Sequence, residues 1–264
     1  MRPRRLLLCL VLFGAISVGA RAQQPFASDD AEVTPKGNWH FEYFNEYAAL
    51  SRNVAPDLRQ DTNNFVVQYG LLSDLEVNLD FPLIAIDRAH HSSLANAFGL
   101  GDVDFAAKYK LMAEDPSGIR PAFTVIGAVE LPTGNKSNQL GSGYTDVDFN
   151  TVTQKALSET TVVHLNVGYQ ISGNTLTGAI GIRTPGHILT GGVSVAHNLS
   201  QTLLLGIDLN GAQIRTSHTL DRQLQLTIGG SWNVRKGMTF DFALITGWYD
   251  SPRAALLLGM TYTP

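Results

Sequence analysis

Two copies of the tetrapeptide DVDF, at residues 102–105 and 146–149, each set two carboxylates two positions apart: Asp102 with Asp104, and Asp146 with Asp148. Residues spaced i, i+2 point to the same side of an extended strand. So placed, a pair of acids can share a proton in acid/base chemistry, hold a cation, or line a wetted surface. Acid/base work needs surroundings that drive the two pKa values apart. The flanking residues supply none, which favours a solvated or ion-paired lining, with charge selection along a solute route second.

The remaining candidates for chemistry are weaker. His90 and His91 are adjacent in a long polar connection, and no carboxylate stands at a metal-ligand spacing from them. Gly99-Leu100-Gly101 resembles part of a phosphate loop, but no helix follows to present its N-terminus to a phosphate. His197 lies near a short turn that carries Ser200. A rim-facing Ser/His pair is the minimum for a lipid-modifying enzyme, and an interfacial histidine is the plainer account. The sequence thus implies no catalytic residue, no metal ligand and no cofactor.

The acids must be positioned by strands, because the dominant period is two. Around the first pair, Val103, Phe105, Ala107, Tyr109 and Leu111 alternate with Asp102, Asp104, Ala106, Lys108 and Lys110. One side of that segment is apolar and the other charged. The split recurs in twelve segments, near 38–48, 63–71, 75–82, 101–111, 121–131, 145–157, 160–170, 187–197, 201–210, 222–232, 237–249 and 252–262. Many have the length of roughly 10 residues that a tilted strand needs to cross a bilayer, and the even count suits a single-chain outer-membrane barrel.

Connections alternate as well. Short links such as 72–74, 112–119, 198–200 and 233–236 follow the even segments. Longer ones at 49–62, 83–100, 132–144, 171–186 and 211–221 follow the odd segments, with 250–252 a short exception. Short turns on one side and long loops on the other fit a barrel with both termini in the periplasm. On that orientation Trp39, Tyr69, Tyr109, Trp232 and Tyr262 fall near the periplasmic rim. Tyr47, Phe81, Tyr169 and Trp248 fall near the outer rim. Two aromatic girdles on the apolar face are what the two membrane interfaces select, and a soluble sandwich has no reason to put its largest rings at both strand ends.

The ends and the charge agree. Arg2, Arg4 and Arg5 precede an apolar run, Leu6–Val18, and then Ala20-Arg21-Ala22, so residues 1–22 are expected to be a cleaved signal peptide. The single cysteine, Cys9, lies inside it, which leaves no disulfide or thiolate metal site in the mature chain. The leader takes four of the 19 basic residues and no acid, leaving 15 against 23 acidic residues and a net charge of −8. That balance argues against a nucleic-acid partner. Residues 23–36 are expected to be a short periplasmic N-terminal segment, and Asp29-Asp30 leaves open whether it forms a partial plug. Residues 37–264 are expected to be the barrel.

The stretch PFASDDAEVTPKGNWHFEYFNEY (25–47) resembles the mature start of the family described as putative MetA-pathway of phenol degradation. The run from GLGDVDFAAKYKLM through VELPTGNKSNQLGSGYTDVDFNTVTQKAL is similar to that family's middle, and HLNVGYQ (164–170) to its following strand. The resemblance covers most of 25–262 through strand and turn patterns. It implies an outer-membrane, transporter-like barrel of a kind linked to uptake of aromatic hydrocarbons, and it brings no catalytic residues.

The reading is therefore all-β: a transmembrane antiparallel up-and-down β-barrel of about 12 strands in the outer membrane of a Gram-negative-type bacterium. Its partners are outer-membrane lipid and a small-molecule solute. Its lumen is expected to be lined by Glu42, Glu76, Asp80, Asp102, Asp104, Lys108, Lys110, Glu130, Asp146, Asp148, Asp208 and Asp241, with the two lysines neutralising acids on neighbouring strands. Acids outnumber bases in that set, which implies a mild preference for cations in passive transport. A structural or plugged barrel without transport is the alternative.

Overall fold

The computed structural model describes residues 25–50, 59–88, 95–172, 186–215 and 220–264. The expected signal peptide, the His90–His91 pair and most of the 171–186 connection lie outside the described residues. Thirteen strand segments follow one another: β1 Trp39–Ala49, β2 Arg59–Leu72, β3 Leu75–Asp87, β4 Ala97–Leu100, β5 Val103–Met112, β6 Ala122–Leu131, β7 Asp146–Ala156, β8 Thr161–Ser172, β9 Gly186–Asn198, β10 Leu203–Arg215, β11 Leu220–Arg235, β12 Met238–Tyr249 and β13 Ala254–Tyr262. Each pairs antiparallel with its neighbours, and β1 pairs with both β2 and β13, so the sheet closes on itself. Closure pairs the staves on both sides, apart from the short β4, which pairs with β3 alone, and such pairing is the condition for a sheet that lies in hydrocarbon.

Because β4 and β5 both pair with β3, they act as one interrupted stave, and the ring is a closed antiparallel 12-strand barrel. The expected strand at 101–111 corresponds to β5, and β4 adds a short piece to the same stave. Leu100 lies opposite Leu83 and Asp104 opposite Asp80, so the β4/β5 side carries one residue more than β3 across that gap. Pro82 sits at the break. It has no N–H to give to a ladder, but its carbonyl accepts from Gly101 N at 2.8 Å.

Several strands also run further than the apolar alternation implied. β2 begins at Arg59, β3 continues past Pro82 to Asp87, and β10 and β11 reach Arg215 and Leu220, so the 211–221 connection shrinks to 216–219. All four extensions lie at the end of the barrel that carries the longer loops, called here the loop end. The start of β1 and the end of β13 lie at the opposite, turn end, where Lys36-Gly37 and Lys236-Gly237 make tight reversals. Gly237 has φ +73°, a left-handed conformation natural to glycine.

The faces separate as the period of two requires. Phe105 is 51% exposed, Phe149 61% and Leu244 66%, all outward, while Glu76, Asp102, Lys108, Asp208 and Asp241 are buried inside. A soluble sandwich would bury those rings and expose those charges, and a lipid-facing barrel does the reverse.

Candidate functional site

The interior is organised by residues 25–36, which thread among the inward-facing side chains. Asp208 on β10 accepts from Ala27 N (3.0 Å), Ser28 N (3.2 Å) and Ser28 Oγ (2.6 Å). Lys108 on β5 donates to Asp29 Oδ1 (2.9 Å) and Asp30 Oδ1 (3.1 Å). Gln154 accepts from Ala31 N, Thr124 donates to Ala31 O, and Glu76 Oε2 accepts from Thr34 N at 2.6 Å. Lys110 pairs with Glu32 at 2.6 Å. Burial pushes the Asp29 carboxyl up to about 6, while the Lys108 ammonium pulls the other way.

Two glycines make room for this segment. A Cβ on Gly192 would stand 2.4 Å from Ser28 Oγ, and one on Gly206 would stand 2.6 Å from the Phe26 ring. The expectation that Lys108 and Lys110 neutralise acids on neighbouring strands is thus corrected for their hydrogen-bonded ion pairs. Their partners Asp29, Asp30 and Glu32 come from the inserted segment, which brings its carboxylates closer than the strand-to-strand spacing does.

Residues Pro25, Phe26, Ala27 and Ser28 of this segment help line a cavity of about 410 Å³. Asp80, Asp102, Asp104, Glu130 and Asp148 contribute to its wall together with Glu46, and among the described residues no lysine, arginine or histidine does. Gln60 and Asn166 are buried there, each with a side-chain carbonyl oxygen that has no hydrogen-bond partner. The other acids named from sequence are held by specific donors. Glu42 meets His40 Nε2 at 2.9 Å, Asp146 accepts from Gln170 at 3.3 Å, and Asp241 accepts from Ser231 (2.6 Å) and Thr261 (3.1 Å).

The two DVDF acids near the loop end do different jobs. Both border the cavity, but only Asp102, displaced by the bulge, also accepts from Gly134 N (2.8 Å) and Ser142 N (2.6 Å). It therefore ties down the 132–145 loop. Leu140 of that loop is 2% exposed and packs on Ile84 and Ile86, and Arg88 reaches the carbonyl of Asn138 and the side chain of Gln139.

Apolar residues facing inward at the loop end were missed from sequence. Ile188, Ala212 and Ile214 form one cluster; Ala48, Leu50, Ala243, Ile245, Ala255 and Leu257 form another, with Phe44 beside it. The signal was present, since LIAI at 83–86 and LITG at 244–247 carry apolar residues on both strand faces.

The remaining candidates have local explanations. His197 Nδ1 meets Thr161 Oγ1 at 2.8 Å, while Ser200 Oγ accepts from Thr202 N and Leu203 N within its turn. Gly99 and Leu100 lie in β4. The nine aromatics expected in the girdles lie on the outward face: Trp39, Tyr47, Tyr109, Tyr169, Trp232, Trp248 and Tyr262 are exposed, Tyr69 and Phe81 half-buried, and the expected place of Phe81 near the outer rim is corrected to mid-strand. Trp39 contacts Tyr69 with ring centroids 4.7 Å apart. Phe81 stacks on Phe65 midway along β3, because the strand continues to Asp87.

The sequence profile of the family described as Putative MetA-pathway of phenol degradation matches residues 23–258. No curated protein matches the chain. Among solved structures, the COG4313 outer membrane channel from Pseudomonas putida F1 aligns with a TM-score of 0.67 at 17% identity, covering 89% of this chain and 98% of the other. The NanC porin aligns with a TM-score of 0.58 at 7% identity, covering 84% and 98%. The KdgM porin, solved in complex with disordered oligogalacturonate, aligns with a TM-score of 0.52 at 10% identity over the same shares. These similarities concern the fold.

Proposed function

Since the chain belongs to the Putative MetA-pathway of phenol degradation family, we propose that it is an outer-membrane channel for passive uptake of small molecules. The supporting observation is a closed ring, apolar outside, that encloses a cavity of about 410 Å³ with acids and, among the described residues, no base in its wall. A solute would first meet the inward apolar clusters at the loop end and then the carboxylates. A small molecule with an apolar or aromatic body, neutral or positively charged, matches that order. Carboxylate rings favour cations and repel anions. No catalytic set is needed for this role.

The mature protein in a planar bilayer should give discrete conductance steps with a reversal potential of cation-selective sign under a salt gradient. Liposomes carrying it should swell in phenols and small amines faster than in organic acids. The inserted N-terminal segment supports a second reading, a plugged barrel with a structural role. Heat-modifiable gel mobility without conductance or solute flux would establish that one.

A further inference from the structure

The outward surface of the barrel is apolar along most of its strands, and at the loop end of β9, β10 and β11 it carries basic residues. Arg215 stands directly opposite His187, and Gln213 directly opposite Arg222. Arg215 and Arg222 are thus diagonal neighbours across β10–β11, about 7–8 Å apart at their Cα atoms. His187 Nδ1 meets the Tyr169 hydroxyl at 2.7 Å and the rings stack at 6.0 Å. Tyr169, His187, Leu189, Gln213 and Arg215 border a shallow groove of about 380 Å³ on this face.

Among the described residues neither guanidinium makes an ion pair with a carboxylate. Asp221 lies on the inward side of β11 and Asp250 in the adjoining turn. The sector formed by β2 and β3 at the same end differs. There Arg59 lies directly opposite Asp87, and Asp61 accepts from Asn45 and Asn63. That sector carries two acids beside its one arginine, whereas this one is left positive.

We propose that the outward face of β9–β11 at the loop end binds the phosphorylated headgroup of an outer-leaflet lipid. Charge complementarity selects the occupant. Two guanidiniums present paired donors to phosphate oxygens, and Gln213 and Tyr169 add polar contacts. Exposed Ile171, Leu189 and Leu209 on the same face lead towards the hydrocarbon, where the acyl chains of such a lipid lie. A free anion would use the arginines but not that apolar run. The proposal rests on the reading of the barrel as an outer-membrane protein with its loop end outward.

The test uses the mature barrel in detergent, titrated with a bisphosphorylated glycolipid and with its dephosphorylated form, and bound lipid read by native mass spectrometry. The bisphosphorylated form should bind about tenfold or more tightly. Arg215→Gln with Arg222→Gln should abolish the difference, and Arg59→Gln should leave it intact. Gel mobility before and after heating establishes that each variant is folded, and either single variant serves if the double one is not. Inorganic phosphate should fail to displace the lipid.

Equal binding of both lipid forms, or a difference that survives loss of both arginines, overturns the proposal. Displacement by inorganic phosphate also overturns it in favour of a free-anion site. Failure of the protein to insert into liposomes would sink the channel reading as well. Insertion with unchanged conductance and phosphate-blind lipid binding would sink this inference alone.

Discussion

Lys108 Nζ lies 2.9 Å from Asp29 Oδ1, joining the middle of β5 to a residue that precedes the first strand. With Asp30 at 3.1 Å, one fully buried ammonium holds two carboxylates of the inserted segment. Removing one partner of a buried pair costs about 3–5 kcal/mol, because the other charge is left uncompensated. Lys108→Gln should therefore free the segment. The expected result is faster protease cleavage between residues 25 and 36 and larger conductance steps. Adding Asp29→Asn and Asp30→Asn should recover part of the loss, as coupled residues do in a mutant cycle.

Gly192→Val tests the fit of the segment without touching a charge. The new side chain would occupy the place of Ser28 Oγ, 2.4 Å from the added Cβ. Asp208→Ala tests the same contact from the other side by deleting the acceptor of three hydrogen bonds from the segment. Charge-assisted bonds of this kind contribute about 1.5–3 kcal/mol each. In both variants a thiol introduced at Ala27 should react faster with a water-soluble reagent than in the parent carrying the same thiol.

Asp80, Asp104 and Asp148 border the cavity with no basic residue among them. Changing all three to asparagine keeps their shape and removes their charge. The reversal potential under a salt gradient should move towards zero, with single-channel conductance in potassium chloride reduced. An unchanged reversal potential would show that selectivity is set elsewhere.

Leu140 and Asp102 hold the 132–145 loop by packing and by hydrogen bonds respectively. Leu140→Ala should weaken that contact by about 2–5 kcal/mol, the cost of a buried leucine truncated in place. The expected readout is increased open-channel noise and faster backbone amide exchange at Gly134 and Ser142, with the thermal stability of the ring little altered.

Adjacent residues on β5 test which side faces lipid. A spin label at Phe105, exposed on the outer face, should be relaxed by oxygen. One at Asp104, on the cavity wall, should be relaxed by a water-soluble nickel chelate. A reversed pattern after reconstitution would contradict the orientation of every strand.

The sequence carried the ring and its two faces because lipid enforces a period of two wherever a strand crosses it. It carried less where that pressure lapses. Residues 59–64 (RQDTNN) extend β2 at the loop end with polar side chains on both faces, so their strand is recorded only in backbone hydrogen bonds to β1 and β3. The bulge at Gly101–Asp102 has a cue in Pro82, but its pairing partner is remote in the chain. The inserted segment was legible only as an ambiguity. Asp29 and Asp30 read equally as solvated acids until Lys108 is seen beneath them. Arg88 and Leu140 act on a loop whose conformation no local pattern specifies.

The seam between β1 and β13, running from Phe41 opposite Tyr262 to Ala49 opposite Ala254, ties the first stave to the last. No nascent fragment can complete the cylinder, since any chain stopped before Ala254 leaves unpaired borders on both β1 and β12. Assembly must therefore wait for the final stave, and the leading residues must already be lodged inside when it arrives or be drawn through afterwards. Nicking the chain within any single turn should leave the finished cylinder standing, whereas deleting the last stave should prevent its formation altogether.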